Sequence, residues 1–141
     1  MLDKDLRSIQ EARQLARAAQ EAHEAFSGFS EQAIDKILQA MVEAVVKNAE
    51  RLARMTVEET GYGVVEHKTV KNLFASRDVY QAIRSIQTVG ILKEDKAAKV
   101  IEAAVPVGVV LALTPTTNPT STIIHNAMCA VKAGNAIIFS P

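Results

Sequence analysis

Residues 105–141 read VPVGVVLALTPTTNPTSTIIHNAMCAVKAGNAIIFSP, and this stretch decides the fold. VGVVLAL at 107–113 is an apolar run without alternation, which suits a strand covered on both faces. Pro115 and Pro119 stop regular structure after it. Asn118 is a good helix N-cap, and Pro119 suits a first helical position, where a missing N–H costs nothing. Ile123, Ile124, Ala127, Met128 and Val131 recur at helical spacing, and Gly134 stands where a left-handed residue closes a helix. Ala136, Ile137, Ile138 and Phe139 then form a second short apolar strand. The sum is a βαβ unit, whose strands a right-handed crossover makes parallel.

Open parallel sheets bind ligands beyond the carboxyl ends of their strands. The first place to look is therefore the loop Thr114, Pro115, Thr116, Thr117, Asn118. It offers hydroxyls, an amide and the free N–H groups of a helix start, which suit an anionic or polyhydroxyl ligand. The same residues also serve simply as turn and cap residues.

The pattern P-x-G-V-V-x-x-x-T-P-T-T-N-P-T-S, followed by A-G-N-A-I-I-F-S-P, resembles the aldehyde dehydrogenase superfamily. It is most similar to the branch that makes acyl-CoA, including the acetaldehyde dehydrogenase half of the bifunctional aldehyde-alcohol dehydrogenases. Hydrolytic members carry P-W-N-F-P in this loop and Lys-Pro after the next strand, where this chain has P-T-T-N-P and Ser140-Pro141. EETGYGVVEHKTVKN at 58–72 and TVGIL at 88–92 extend the resemblance over nearly the whole chain.

The resemblance implies an α/β fold: N-terminal helices, then the first βαβ unit of a Rossmann-like cofactor-binding domain, left incomplete. It implies that residues 1–141 are the N-terminal part of an NAD- or NADP-binding domain, helical over 1–87, strand or hairpin over 88–105, βαβ over 106–141. It implies a short-chain aldehyde as substrate, coenzyme A as co-substrate, and a homo-oligomeric parent. Leu113, Thr114, Pro115, Thr116 and Thr117 match cofactor-side positions. Ser140 matches a position where hydrolytic members place a lysine against the adenosine ribose, and an uncharged residue there leaves NAD versus NADP open. In hydrolytic members a loop asparagine donates to the oxyanion. Aligning the flanking prolines puts Thr117 there and Asn118 one residue later, so Asn118 stands as helix cap or as oxyanion donor. The family's nucleophilic cysteine lies beyond Pro141, so the 141 residues alone are expected to be inactive.

Composition sets bounds around this reading. Lys plus Arg equals Asp plus Glu at 16 each, which gives no basic face for nucleic acid. No segment approaches a membrane span, and the polar start MLDKDL is no secretory signal. One cysteine excludes an internal disulfide, and His23, His67 and His125 lack metal-ligand spacing. A cytoplasmic location follows, or a bacterial microcompartment reached from it. No G-x-G-x-x-G is present to favour a different dinucleotide-binding fold.

Upstream, Leu6, Ile9, Ala12, Ala16, Ala19 and Phe26 mark a shallow stripe on a helix over residues 3–27. Its weak amphipathic character also admits a non-catalytic assembly or microcompartment-targeting segment. Ser30 is the expected cap of the next helix, with Glu31 in its first turn and Phe29 set to staple onto Ile34. Ile34, Ile37, Leu38, Met41, Val42, Val45 and Ala49 make its stripe. Asn48 is expected to cap a continuing or bent helix that buries Leu52 and Met55, before Gly61 and Gly63 stop it. A third helix over about 65–86 is expected to bury Val70, Leu73, Phe74, Tyr80 and Ile83. Lys93–Lys96 reads as a charged turn before a strand over 100–105. Cys129, in the apolar context AMCAV, reads as a buried core thiol. His125 reads as a partly buried, hydrogen-bonded side chain, and Glu58, Glu59 and Glu66 as solvated charges.

Overall fold

The computed structural model describes residues 3–141. The helical stretch holds α1 (Lys4–Phe26), α2 (Glu31–Thr60), α3 (Val65–Leu73) and α4 (Val79–Ile83). A π turn, Phe74–Asp78, joins α3 to α4 without a break. An antiparallel hairpin follows, β1 (Gly90–Asp95) with β2 (Val100–Ala104). The βαβ unit closes the chain: β3 (Val109–Leu113), α5 (Pro119–Lys132) and β4 (Ala136–Ser140). Its strands are parallel, Val109 opposite Ala136 and Leu113 opposite Ser140. The α1 helix packs on β3 and β4, and α5 packs between those strands and the α2–α3 pair.

Local chemistry explains the boundaries. The Ser30 Oγ accepts the Ala33 N–H at 3.2 Å and opens α2. Phe29 pairs its ring with Phe26, centroids 4.9 Å apart, and both line a groove with Ile34. The α2 helix runs unbroken for 30 residues. Asn48 does not cap it: its amide donates back to Ala44 O at 2.8 Å inside the helix. Gly61, at φ 69°, ends it in the left-handed conformation.

The core gathers Ile34, Leu38, Ala75, Tyr80, Ile124 and Met128. Two expectations about burial fail here. Met55 is exposed, because the inner face of α2 at that end is Ala53 and Thr56. Val70 and Phe74 are also exposed, because α3 and the π turn after it face Lys68, Asn72 and Ser76 inward, where each finds a hydrogen-bond acceptor. The charged turn also lies later than expected. Strand β1 continues through Lys93 and Glu94 to Asp95, whose Oδ1 accepts the Ala98 N–H at 2.9 Å. Ile91, Leu92, Val100 and Ile101 leave the hairpin largely uncovered. The βαβ reading holds, but Leu111 and Leu113 are exposed, so β3 is covered on both faces only in part.

Gly134 closes α5 at φ 73°, and a Cβ there would lie 2.9 Å from Pro106 Cγ and 3.1 Å from Val89 Cγ1. The clash and the left-handed backbone add. Gly134→Ala should lower unfolding free energy by about 1–3 kcal/mol. A denaturant midpoint unchanged from the parent would show that this corner relaxes freely.

Candidate functional site

The parallel pair fixes where the loop sits. Leu113 and Ser140 are register partners at the carboxyl ends of β3 and β4. The Thr114 N–H donates to Ser140 O at 2.8 Å, so the strands stay joined one residue into the loop. Residues 113–117 and Ser140 are thereby brought to one edge of the sheet, where Pro115, Thr116 and Thr117 are exposed. The Thr114 hydroxyl is buried and has no partner among the described residues. An orphan hydroxyl at a strand's carboxyl end fits a hydroxyl-rich ligand such as a cofactor ribose. On the sheet's α1 side a groove of about 670 Å³ runs along Leu15, Leu111, Leu113, Phe139 and Ser140.

Asn118 occupies the N-cap position, but its side chain does not cap. Its contribution to the helix start is its carbonyl, which accepts the Thr122 N–H at 3.1 Å. The side-chain oxygen is taken by Lys71 Nζ at 2.9 Å, and the side-chain nitrogen lies 3.4 Å from Thr117 Oγ1. Capping by side chain therefore does not explain this residue.

Sequence reading missed the residues that hold the loop in place. Lys68 is buried and donates from Nζ to Thr117 O at 2.5 Å. Burial, and then the nearby Lys71 charge, hold its pKa below the ordinary lysine value. Asn72 is fully buried: Nδ2 donates to Ala49 O at 3.0 Å, and Oδ1 accepts Thr120 Oγ1 at 2.9 Å. The Thr120 hydroxyl also meets Thr56 Oγ1 at 3.3 Å. Helices α2, α3 and α5 thus share one polar junction directly beneath the loop. The available signal was the 68-72-76 spacing of Lys, Asn and Ser, one stripe of a helix whose apolar pattern is weak.

Two expectations on α5 are corrected. Cys129 is exposed, not a core thiol. The buried line of α5 runs through Ile124 and Met128, and the next line, His125 and Cys129, faces outward. His125 is exposed too, its Nδ1 3.3 Å from Asn126 Oδ1 and its Nε2 3.8 Å from Cys129 Sγ. Partial burial raises the Cys129 pKa above the ordinary thiol value, so it is no activated nucleophile. Among the described residues no cluster of three or more His, Cys, Asp or Glu can hold a metal. No described helix is long and apolar enough to cross a membrane.

The family model for the aldehyde dehydrogenase family matches residues 5–141. The chain is 39% identical over 134 residues to the bifunctional aldehyde-alcohol dehydrogenase AdhE of Escherichia coli K12, covering 95% of this chain and 15% of that one. It is 40% identical over 134 residues to the succinate-semialdehyde dehydrogenase (acetylating) of Clostridium kluyveri, covering 95% of this chain and 29% of that one. An acetylating aldehyde dehydrogenase structure from Geobacillus thermoglucosidasius superposes with a TM-score of 0.94 at 50% identity, over 100% of this chain and 31% of that one. The chain thus spans less than a third of each of these relatives.

Two measurements test the geometry. Asn72→Ala removes the shared amide and should cost about 2–3 kcal/mol of unfolding free energy. An unchanged denaturant midpoint would mean the junction holds without it. Iodoacetamide should label Cys129 in the folded protein, more slowly at pH 7 than an unperturbed thiol, because a raised pKa lowers the thiolate fraction. The rate should climb as pH approaches that pKa. Complete protection up to the onset of unfolding would contradict the exposed position.

Proposed function

The chain belongs to the aldehyde dehydrogenase family, and we propose that it forms the N-terminal part of the cofactor-binding domain of a CoA-acylating aldehyde dehydrogenase. The reaction of the whole enzyme is short aldehyde plus CoA plus NAD(P)+ giving acyl-CoA plus NAD(P)H. One observation carries the reading: the T-P-T-T-N-P loop, within a family match over 5–141, sits beyond the joined carboxyl ends of β3 and β4. Acylating members of the family use NAD(P) and CoA in general.

The proposed division of labour follows from the geometry. Leu113, Thr114, Pro115 and Thr116 line the nicotinamide-ribose side, with Thr117 next along the cofactor-side loop, and the Thr114 hydroxyl lacks a partner among the described residues. Ser140 faces the adenosine ribose and brings no charge to select between NAD and NADP. NAD(P)+ held there would supply the hydride acceptor. Asn118 donates its amide N–H to the oxyanion that forms when a cysteine thiolate outside these residues adds to the aldehyde. Cys129 has no part in the chemistry. The uncovered hairpin, with Ile91 and Ile101 exposed, is a surface for a second subunit of a homo-oligomer. The enzyme acts in the cytoplasm. Helix α1 meets β3 and β4 and is buried or half-buried at Ala19, His23 and Phe26, which supports a structural role for its C-terminal part.

The test uses the complete protein that carries this segment. With short aldehydes, NAD(P)H formation followed at 340 nm should require CoA and give acyl-CoA stoichiometrically. Turnover indifferent to CoA would place the protein among hydrolytic members. The isolated 141 residues should show no turnover above background.

A further inference from the structure

We propose that Lys71 is a positioning residue: it sets the orientation of the Asn118 amide. The inference rests on the proposed role of Asn118 as oxyanion donor. An ammonium has only donors, so the group facing Lys71 Nζ at 2.9 Å must be the amide oxygen. The amide is thereby fixed with Oδ1 toward α3 and Nδ2 away from it. Among the described residues the nitrogen meets only Thr117 Oγ1, at the long distance of 3.4 Å, which leaves at least one of its N–H donors uncommitted there. A free Asn amide turns over readily, and in the other orientation it would present an oxygen to a forming oxyanion, which repels.

The neighbouring contact supports the same role. Lys68, one turn earlier on α3, holds the Thr117 carbonyl at 2.5 Å. Two lysines of one helix face thus grip two consecutive loop residues, one by backbone and one by side chain. Neither lysine meets a carboxylate among the described residues, so their charge is not neutralised locally. Lys71 also lines a shallow cleft of about 240 Å³ with Phe74, Ser121, Thr122 and His125.

The test is a double-mutant cycle in the complete enzyme, with Asn118→Ala, Lys71→Met, Lys71→Arg and the Asn118→Ala/Lys71→Met pair. Asn118→Ala should lower kcat roughly 100-fold, the cost of one oxyanion donor. Lys71→Met should lower kcat about 10-fold while the aldehyde KM changes less than about 2-fold, because misorientation acts on the transition state. Lys71→Arg, which keeps a cationic donor, should recover most of the loss. The double variant should be no slower than Asn118→Ala, since the lysine acts only through the asparagine. Lys71 is exposed, so thermal unfolding of the Met and Arg variants should match the parent. Parental kcat in Lys71→Met beside a slow Asn118→Ala overturns the positioning role and leaves the enzyme reading intact. Multiplying losses in the double variant overturn it too. Parental kcat in Asn118→Ala removes the oxyanion role, and the positioning role with it.

Discussion

The structure depends on one buried amide. Asn72 is wholly enclosed, and both ends of its side chain are used, one by the α2 backbone and one by Thr120 at the start of α5. An unpaired buried amide costs on the order of 1–3 kcal/mol, so these partners are required rather than decorative. They set the depth and rotation of α5 against the α2–α3 pair. The loop before α5 inherits that placement. Three residues are thereby fixed to one another across long sequence separations: Ala49, Asn72 and Thr120.

The far end of α5 is held by a different means. Lys132, almost fully buried, pairs with Glu31 at the first turn of α2, and its carbonyl accepts the Thr88 hydroxyl. The carboxylate also lies at the positive end of the α2 dipole, a favourable placement for an acidic side chain. Burying an ion pair gains little net stability, but removing one partner strands the other charge at about 3–5 kcal/mol. The arrangement therefore penalises misplacement more than it rewards formation. With Asn72 at one end and Lys132 at the other, α5 has no freedom to slide along the helices that carry it.

The βαβ unit was legible because its punctuation is chemical. Pro115, Pro119 and Gly134 have few conformational options, and the apolar runs between them match strand and helix lengths. The carboxyl-end loop followed from topology alone. The burial of α3 was not legible, because hydrophobicity points to Val70 and Phe74 while the packed face carries Lys68, Asn72 and Ser76. A polar residue is buried only when a partner awaits it; Ser76 bonds back to its own helix, but the partners of Lys68 and Asn72 lie 23 to 49 residues away in sequence. Cys129 misled for a related reason. Apolar neighbours along a helix do not share a face, and Met128 took the buried position one step before it.

Why the support beneath the loop should be polar follows from what each kind of contact specifies. Apolar contact rewards area and tolerates shifts of an ångström, as in the Ile34, Leu38 and Met128 core, where side chains can repack. Hydrogen bonds fail over the same distance, since donor and acceptor must hold both length and angle. Reaction geometry is about equally unforgiving, and a misplacement of about 1 Å can cost roughly 100-fold in rate. An apolar interface between α3 and α5 would stabilise the pair but leave the loop's backbone free to drift. The contacts of Lys68 with the Thr117 carbonyl, of Lys71 with the Asn118 amide and of Asn72 with Thr120 fix carbonyl, side chain and helix start separately. Each removes a different motion of the same short loop. The apolar core secures the helices, and the polar junction turns that security into a defined direction for one amide.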